Sequence, residues 1–141
     1  MRLKIGVIFD KSQVDNKYTG EAKCTDNQKK TTKKEICKVL KKRYDVVEII
    51  ADEKIIKNLI ESKIDLAFLL CTEIVGESRQ SQVPASLEML WIPYVGSGIS
   101  GHSLALNKSM AKQILDYNNV STPAFQIFNT INEKLDLSLK F

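Results

Sequence analysis

The amino-acid sequence predicts an α/β domain: an open parallel sheet with helices on both faces. Two observations carry this. Apolar runs of strand length (Leu3 to Phe9, Val46 to Ile50, Ile64 to Leu70, Ile92 to Val95) recur along the chain, as strands covered on both faces require. Between them lie segments whose apolar residues recur at i, i+3 and i+4, the period of a helix with one buried stripe. That β-α-β-α-β-α-β order favours parallel strands joined by right-handed crossovers. A length of 141 residues with 43% hydrophobic and 27% charged content suits one compact domain with a real core.

Each element has its own signal. Leu3 to Phe9 is the first strand, and Asp10 to Lys30, rich in Asn, Asp, Thr and Lys, reads as a long loop. Thr32-Lys33-Lys34-Glu35 has the spacing of a capping box and predicts a helix start, with Ile36, Val39 and Leu40 turned to the sheet and Lys33, Lys34, Lys38, Lys41 and Lys42 outward. Val46 to Ile50 is the second strand. Asp52 can cap a second helix, on which Ile55, Ile56, Leu59 and Ile60 share a face. Ile64 to Leu70 is the third strand and Thr72 to Gln80 a polar turn. A third helix carries Val83, Leu87 and Leu90, with Pro84 tolerated in its first turn. Ile92 to Val95 is a short strand, followed by a glycine-rich loop. Asn107 caps a last helix with Met110, Ala111, Ile114 and Leu115 inside, and Ala124 to Phe128 reads as a closing strand.

Composition narrows the function classes. No apolar run is long enough to span a bilayer, and the apolar amino terminus is short and ends in Asp10, unlike a secretory leader. A cytoplasmic protein without a membrane partner is expected. Cys24, Cys37 and Cys71 are odd in number and widely spaced, which offers neither a disulfide framework nor a zinc-binding cluster; no metal site is expected. Charge is uneven: residues 1 to 43 hold 13 Lys or Arg against 5 Asp or Glu, whereas the remainder hold 8 against 12. That basic stripe has no interleaved aromatics and no reading motif, so a solvated helix face is expected and not a nucleic-acid site.

In open parallel sheets ligands bind beyond the carboxyl ends of the strands, which directs attention to residues 10–30, 71–80 and 96–108. Gly96-Ser97-Gly98-Ile99-Ser100-Gly101 spells G-x-G-x-x-G, but Asp116 falls inside a helix, where a dinucleotide fingerprint needs an acid ending the next strand. A loop between elements is the reading. Glu73 and Glu77 flank the turn after the third strand beside Arg79, and either orient a polar substrate or pair on the surface. Lys108 stands in the first turn of a helix, against the helix dipole, which hints at a bound phosphate beside the plainer reading of an exposed lysine.

The run from Gly76-Glu77-Ser78 through Gln80, Gln82 and Leu87-Glu88 to Ile92-Pro93-Tyr94-Val95-Gly96-Ser97, then Leu106-Asn107-Lys108 and Ser121-Thr122-Pro123, resembles the amino-terminal region of D-alanine–D-alanine ligases and their ATP-grasp relatives. The likeness covers the second half of the chain by motif and the first half by element order. It implies a Rossmann-like pre-ATP-grasp domain over residues 1–105, the start of an ATP-grasp subdomain over 106–141, and truncation before the rest. It also implies a ligase that uses ATP and Mg²⁺ to activate a carboxylate as an acyl phosphate, for capture by an amine, as in cell-wall precursor synthesis. By position Lys108 corresponds to the family lysine on the ATP phosphates, and Thr72, Glu73 and Glu77 fall in its substrate-binding turn, Thr72 where the family has histidine. The early-loop G-G-x-S-x-E motif has no counterpart in Asp10-Lys11-Ser12-Gln13-Val14-Asp15. The implied partners are an amino-acid or dipeptide-like substrate, the missing ATP-grasp domain and a second copy in a homodimer. No catalytic residue is assigned, and the chain alone is expected to be inactive without tight cofactor binding. The competing reading is a stand-alone, non-catalytic binding or oligomerisation domain derived from such a ligase.

Overall fold

A computed structural model describes residues 2–10, 20–71 and 74–139, the side chains of 20–27 excepted. Its elements run β1 (Lys4–Asp10), α1 (Gly20–Leu40), β2 (Asp45–Ala51), α2 (Ile55–Ser62), β3 (Leu66–Leu69), α3 (Gln82–Met89), β4 (Tyr94–Val95), α4 (Ile99–Leu106) and α5 (Lys108–Tyr117). All strand pairs are parallel and the sheet order is β2-β1-β3-β4. The register sets Val7 beside Glu48 and Phe68, and Ala67 beside Tyr94. The α/β fold read from the apolar runs is the fold observed.

Alternation along β1 divides the two faces. Ile8, with Ile49, Ala51 and Ala67, packs against Ile55 and Leu59 of α2 and Val83 and Leu87 of α3, all of them buried. Burying each of the Ile, Leu and Val side chains in this layer contributes roughly 1.5–3 kcal/mol. On the opposite face α1 lays Lys33 over Phe9, its Nζ 3.9 Å from the ring centroid. Cys37 of the same helix is buried. β1 is central because it is covered twice, and Ile5, Val7 and Ile8 are among the least exposed residues.

Several local expectations are corrected. Residues 20–30 form the first half of α1, not a loop, and the Thr32–Glu35 box is helix interior; residues 11–19 lie outside the described segment. From Glu21 to Tyr44 there is no Gly or Pro, and Lys, a good helix former, dominates, so intrinsic propensity supports a helix that hydrophobic period does not announce. The sheet-facing stripe of α1 is Lys33, Ile36, Cys37 and Leu40, while Val39 is 61% exposed. Lys33 is therefore not on the outer face: it pairs with Glu48 at 3.0 Å, as Lys41 does at 3.4 Å. On α2, Ile55 and Leu59 are buried but Ile56 and Ile60 are exposed. The carboxylate of Asp52 accepts the Lys54 N–H at 2.9 Å just before that helix, although Lys54 occupies the cap position.

Residues 99–106 are helix α4, where a loop was expected: after Gly98 nothing but Gly101 opposes a helix. The chain divides into two compact units, Met1–His102 and Ser103–Phe141. In the second, Asn107 caps α5 by accepting the Met110 N–H at 3.1 Å, as its side chain suggests. No residue of α5 is buried, and Met110, Ile114 and Leu115 are exposed. The expected strand Ala124–Phe128 is not formed. Instead the Gln126 amide donates to the Lys134 carbonyl and accepts the Asp136 N–H, both at 2.7 Å, which replaces a ladder by two side-chain bonds. A unit this small cannot enclose the apolar face of α5.

Candidate functional site

In a sheet ordered β2-β1-β3-β4, α1 leads from β1 to one side and the later chain to the other, so the topological switch point lies between β1 and β3. Two residues end those strands there. Asp10 closes β1 with its side chain only 10% exposed, and Lys29 of α1 reaches it at 2.8 Å. Cys71 follows β3 and is half-buried. Burial, and next the negative charge of Asp10, push its thiol up to about 12, so it stays protonated and is a poor nucleophile at neutral pH. The carboxyl edge thus presents an ion pair over an inert thiol.

The turn after β3 is shaped by α3. The Gln82 side chain donates to the Val75 carbonyl at 2.7 Å and accepts the Val75 N–H at 3.3 Å, holding the turn by its backbone. The Ser81 N–H closes a bond to Ser78 at 2.9 Å, and the Ser81 hydroxyl donates to the Ile99 carbonyl at 3.1 Å, which ties the start of α3 to the first residue of α4. Glu77 lies exposed in this turn. Thr72 and Glu73 fall outside the described residues. After β4, Gly96 adopts φ +145°, and a Cβ there would sit 3.2 Å from Leu69 Cδ1, so the residue is glycine for its backbone and for its neighbour. Gly96-Ser97-Gly98 therefore does follow a strand and open a helix, at the carboxyl edge, although Asp116 lies in α5. The Tyr94 hydroxyl donates to Glu88 at 2.7 Å, and that bond raises its pKa.

Lys108 is the first residue of α5, in the second unit, and Glu77 belongs to the first. The Lys108 side chain is exposed and makes no ion pair or hydrogen bond among the described residues. Lys112, one turn on, behaves differently. Its Nζ donates to Thr122 Oγ1 at 3.1 Å and to the Pro123 carbonyl at 2.8 Å, and lies 5.0 Å from the Phe125 ring centroid. Sequence reasoning singled out Glu77 and Lys108 but missed the Asp10–Lys29 pair and the Gln82 clamp. For the first a signal existed, since a carboxylate ending the first strand of a parallel sheet sits at the ligand edge. For Gln82 there was none.

No protein-family model matches the chain. It is 41% identical over 91 residues to a D-alanine–D-alanine ligase of Carboxydothermus hydrogenoformans, covering 64% of this chain and 28% of that one. It is 33% identical over 131 residues to the Pelotomaculum thermopropionicum ligase, covering 90% and 36%. The structure aligns with D-alanine–D-alanine ligase of Bacillus anthracis complexed with ATP over 98% of this chain and 42% of the ligase, with a TM-score of 0.71 and 28% identity. The chain is a homologue of the amino-terminal part of D-alanine–D-alanine ligases. It spans about a third of the length of the curated relatives it matches. An uncharacterized protein of Sinorhizobium fredii is also similar, at 39% over 71 residues. Among the described residues no helix is long and apolar enough to cross a membrane.

Proposed function

We propose that this chain supplies the substrate-side, amino-terminal part of an ATP-dependent carboxylate–amine ligase. In this reading residues 1–105 are the pre-ATP-grasp domain, and 106–141 open the ATP-grasp region that the relatives continue. The observation that carries it is the structural match over 98% of the chain to a ligase complexed with ATP. ATP supplies the phosphoryl group that activates a carboxylate, and this chain's own residues bind and orient.

Lys108 fits a phosphate contact. Its ammonium is exposed at a helix start where the dipole opposes a cation, a cost that an anion beside it would offset. Glu77, exposed at the carboxyl edge, fits the substrate turn, where its carboxylate can accept from an amino group. Thr72 and Glu73 carry the same assignment by sequence position. Among the described residues no group of three or more His, Cys, Asp or Glu could hold a metal, so no residue of this chain is assigned to Mg²⁺. One lysine and a glycine-rich turn do not enclose a triphosphate, so the proposed state of the chain alone is inactive, and its location the cytoplasm.

The test places the chain ahead of the remaining segment of a related ligase. Lys108→Ala is expected to lower kcat/KM for ATP by about 2–3 kcal/mol equivalent, the loss of one charge-assisted contact. Lys134→Ala, at an exposed lysine, is the control. Lys112 is unsuitable for that purpose, because its bonds to Thr122 and Pro123 give it a structural role. Equal activity of the two variants would remove Lys108 from the ATP site.

A further inference from the structure

The end of α3 carries a residue that neither the fold nor the ligase reading explains. The Ile92 N–H bonds to the Leu87 carbonyl at 2.9 Å and the Trp91 N–H to that of Glu88 at 3.1 Å. The helix therefore closes in a Schellman motif, with Trp91 in its left-handed position at φ +56°. Glycine suits that position, and any other side chain strains the backbone there. The indole nevertheless stands 93% exposed, so strain is accepted to hold a large apolar ring in water.

Trp91 lies at the amino edge of the sheet, opposite the carboxyl edge of the candidate site. Backbone bonds trace this edge: the Asp45 N–H to the Leu3 carbonyl at 3.0 Å, Asp65 to Lys4 at 2.8 Å and Ala67 to Pro93 at 2.9 Å. Leu3 and Met89, 54% and 59% exposed, share it. Leu3 precedes β1 and Trp91 precedes β4, two strand spacings or about 10 Å apart. Crossover helices run back against the strands, so α1 and α2 end here too and bring exposed Lys41, Lys42, Arg43 and Lys63, which Arg2 joins. The acids of the edge are Asp45, Asp65 and Glu88. Asp65 accepts the Lys4 N–H and Glu88 the Tyr94 hydroxyl, both at 2.7 Å, so basic groups are in excess. The helix dipole accounts for bases at the ends of α1 and α2, but not for Trp91, Leu3 and Met89.

We propose that this amino edge docks on an anionic phospholipid surface, with the Trp91 indole at headgroup level and the basic side chains against the lipid phosphates. An indole favours the membrane–water interface, where its ring meets apolar chains and its N–H stays wet. Lys and Arg beside it are drawn to a negatively charged leaflet. A nucleic acid would match the charge but leave Leu3 and Met89 in water. Docking in this pose turns the carboxyl edge away from the lipid and leaves it open to small molecules. No membrane partner was expected from the length of the apolar runs, but run length reports spanning and not surface contact.

Trp91 is the one tryptophan of the sequence, so its emission reads the proposal directly. The 141-residue chain is titrated with vesicles of phosphatidylcholine alone and with vesicles holding about one quarter phosphatidylglycerol. A blue shift is expected with the anionic vesicles and none with the neutral ones, and added salt should reverse it by screening. The double variant Lys42→Glu with Arg43→Glu should weaken co-sedimentation with anionic vesicles by about tenfold or more. Both residues are exposed, and circular dichroism will confirm that the variant folds. Trp91→Gly should weaken co-sedimentation by about tenfold and yet raise Tm, because glycine relieves the strain at φ +56°. An unshifted emission with anionic vesicles overturns the proposal, as does equal binding to neutral ones. Binding unchanged by Trp91→Gly would come from another apolar surface, such as the exposed side of α5, and overturns it too. A Tm that falls together with binding would give Trp91 a structural role instead. An equal blue shift with heparin in place of vesicles would make the edge a general polyanion site and overturn the lipid assignment.

Discussion

Leu59 and Ile60 are adjacent on α2, similar in volume and opposite in fate: Leu59 is 1% exposed and Ile60 58%. Truncating each to alanine therefore compares burial at two side chains of similar size. Leu59 sits in the layer between β1 and α3 with Ile8, Ile49, Val83 and Leu87. Its removal loses the transfer free energy of the side chain and leaves a cavity that this close-packed layer relaxes into only partly, so a loss of about 3–4 kcal/mol is expected. Ile60→Ala removes a side chain already in water and replaces a β-branched residue with the best helix former, for a change within about 0.5 kcal/mol of zero. Urea unfolding followed by far-ultraviolet dichroism is the assay. Trp91 is 93% exposed, so its fluorescence reports unfolding poorly. Equal losses for the two variants, or a larger one for Ile60, would mean that α2 does not present this face to the sheet.

Three further outcomes follow from the same packing. Gly6→Ala would place a Cβ 2.6 Å from Ile64 Cδ1 and 3.1 Å from Ile49 Cδ1 in the central strand, and chemical denaturation should show a loss of about 1–3 kcal/mol; no loss would mean that Ile64 has room to move. Glu48 has its pKa lowered, chiefly by the hydrogen bond from Lys33, so its ion pairs contribute above the ordinary carboxylate range and are lost as the pH falls through the lowered value. Because the pair is more than a third exposed on the Glu48 side, Glu48→Gln should cost at most about 1 kcal/mol at pH 7, and the gap to the parent should narrow as the pH falls below the ordinary carboxylate range; a gap that widens in acid would contradict the pairing. The thiol of Cys71, pushed up to about 12, should resist alkylation at pH 8 in the native protein and react once urea unfolds it, as peptide mass mapping will show; fast native labelling would place it in water.

The strands were legible because β1, covered on both faces, has Ile5, Val7 and Ile8 buried in sequence, and edge strand β2 keeps a β-branched run around Glu48. α3 was legible for a similar reason, with Val83 and Leu87 both buried where the period puts them. α1 was half-hidden: its amino-terminal half has no apolar stripe, and a polar segment free of Gly and Pro reads equally as loop or exposed helix. Ile56 and Ile60 show the opposite failure, since an apolar period predicts burial and both are exposed. The closing strand at Ala124–Phe128 was read from composition, yet a strand exists only with a neighbour to pair with, and residues 124–128 find a side-chain amide instead. At the candidate site, the conflict with the helix dipole only hinted at Lys108, and the family resemblance singled it out. The Asp10–Lys29 pair joins residues 19 apart across a segment read as loop, so no local pattern could connect them.

The proposed role, the substrate-side part of a ligase, is open to test in a whole enzyme. The most direct measurement joins residues 1–141 to the remainder of the Carboxydothermus hydrogenoformans D-alanine–D-alanine ligase, which shares 41% identity over 91 residues, and follows ADP release with D-amino acids supplied one at a time. ATP turnover is expected to depend on an added amino acid and to fall with Lys108→Ala but not with Lys134→Ala. A chimera that folds, binds ATP and yet releases no ADP with any amino acid would contradict it.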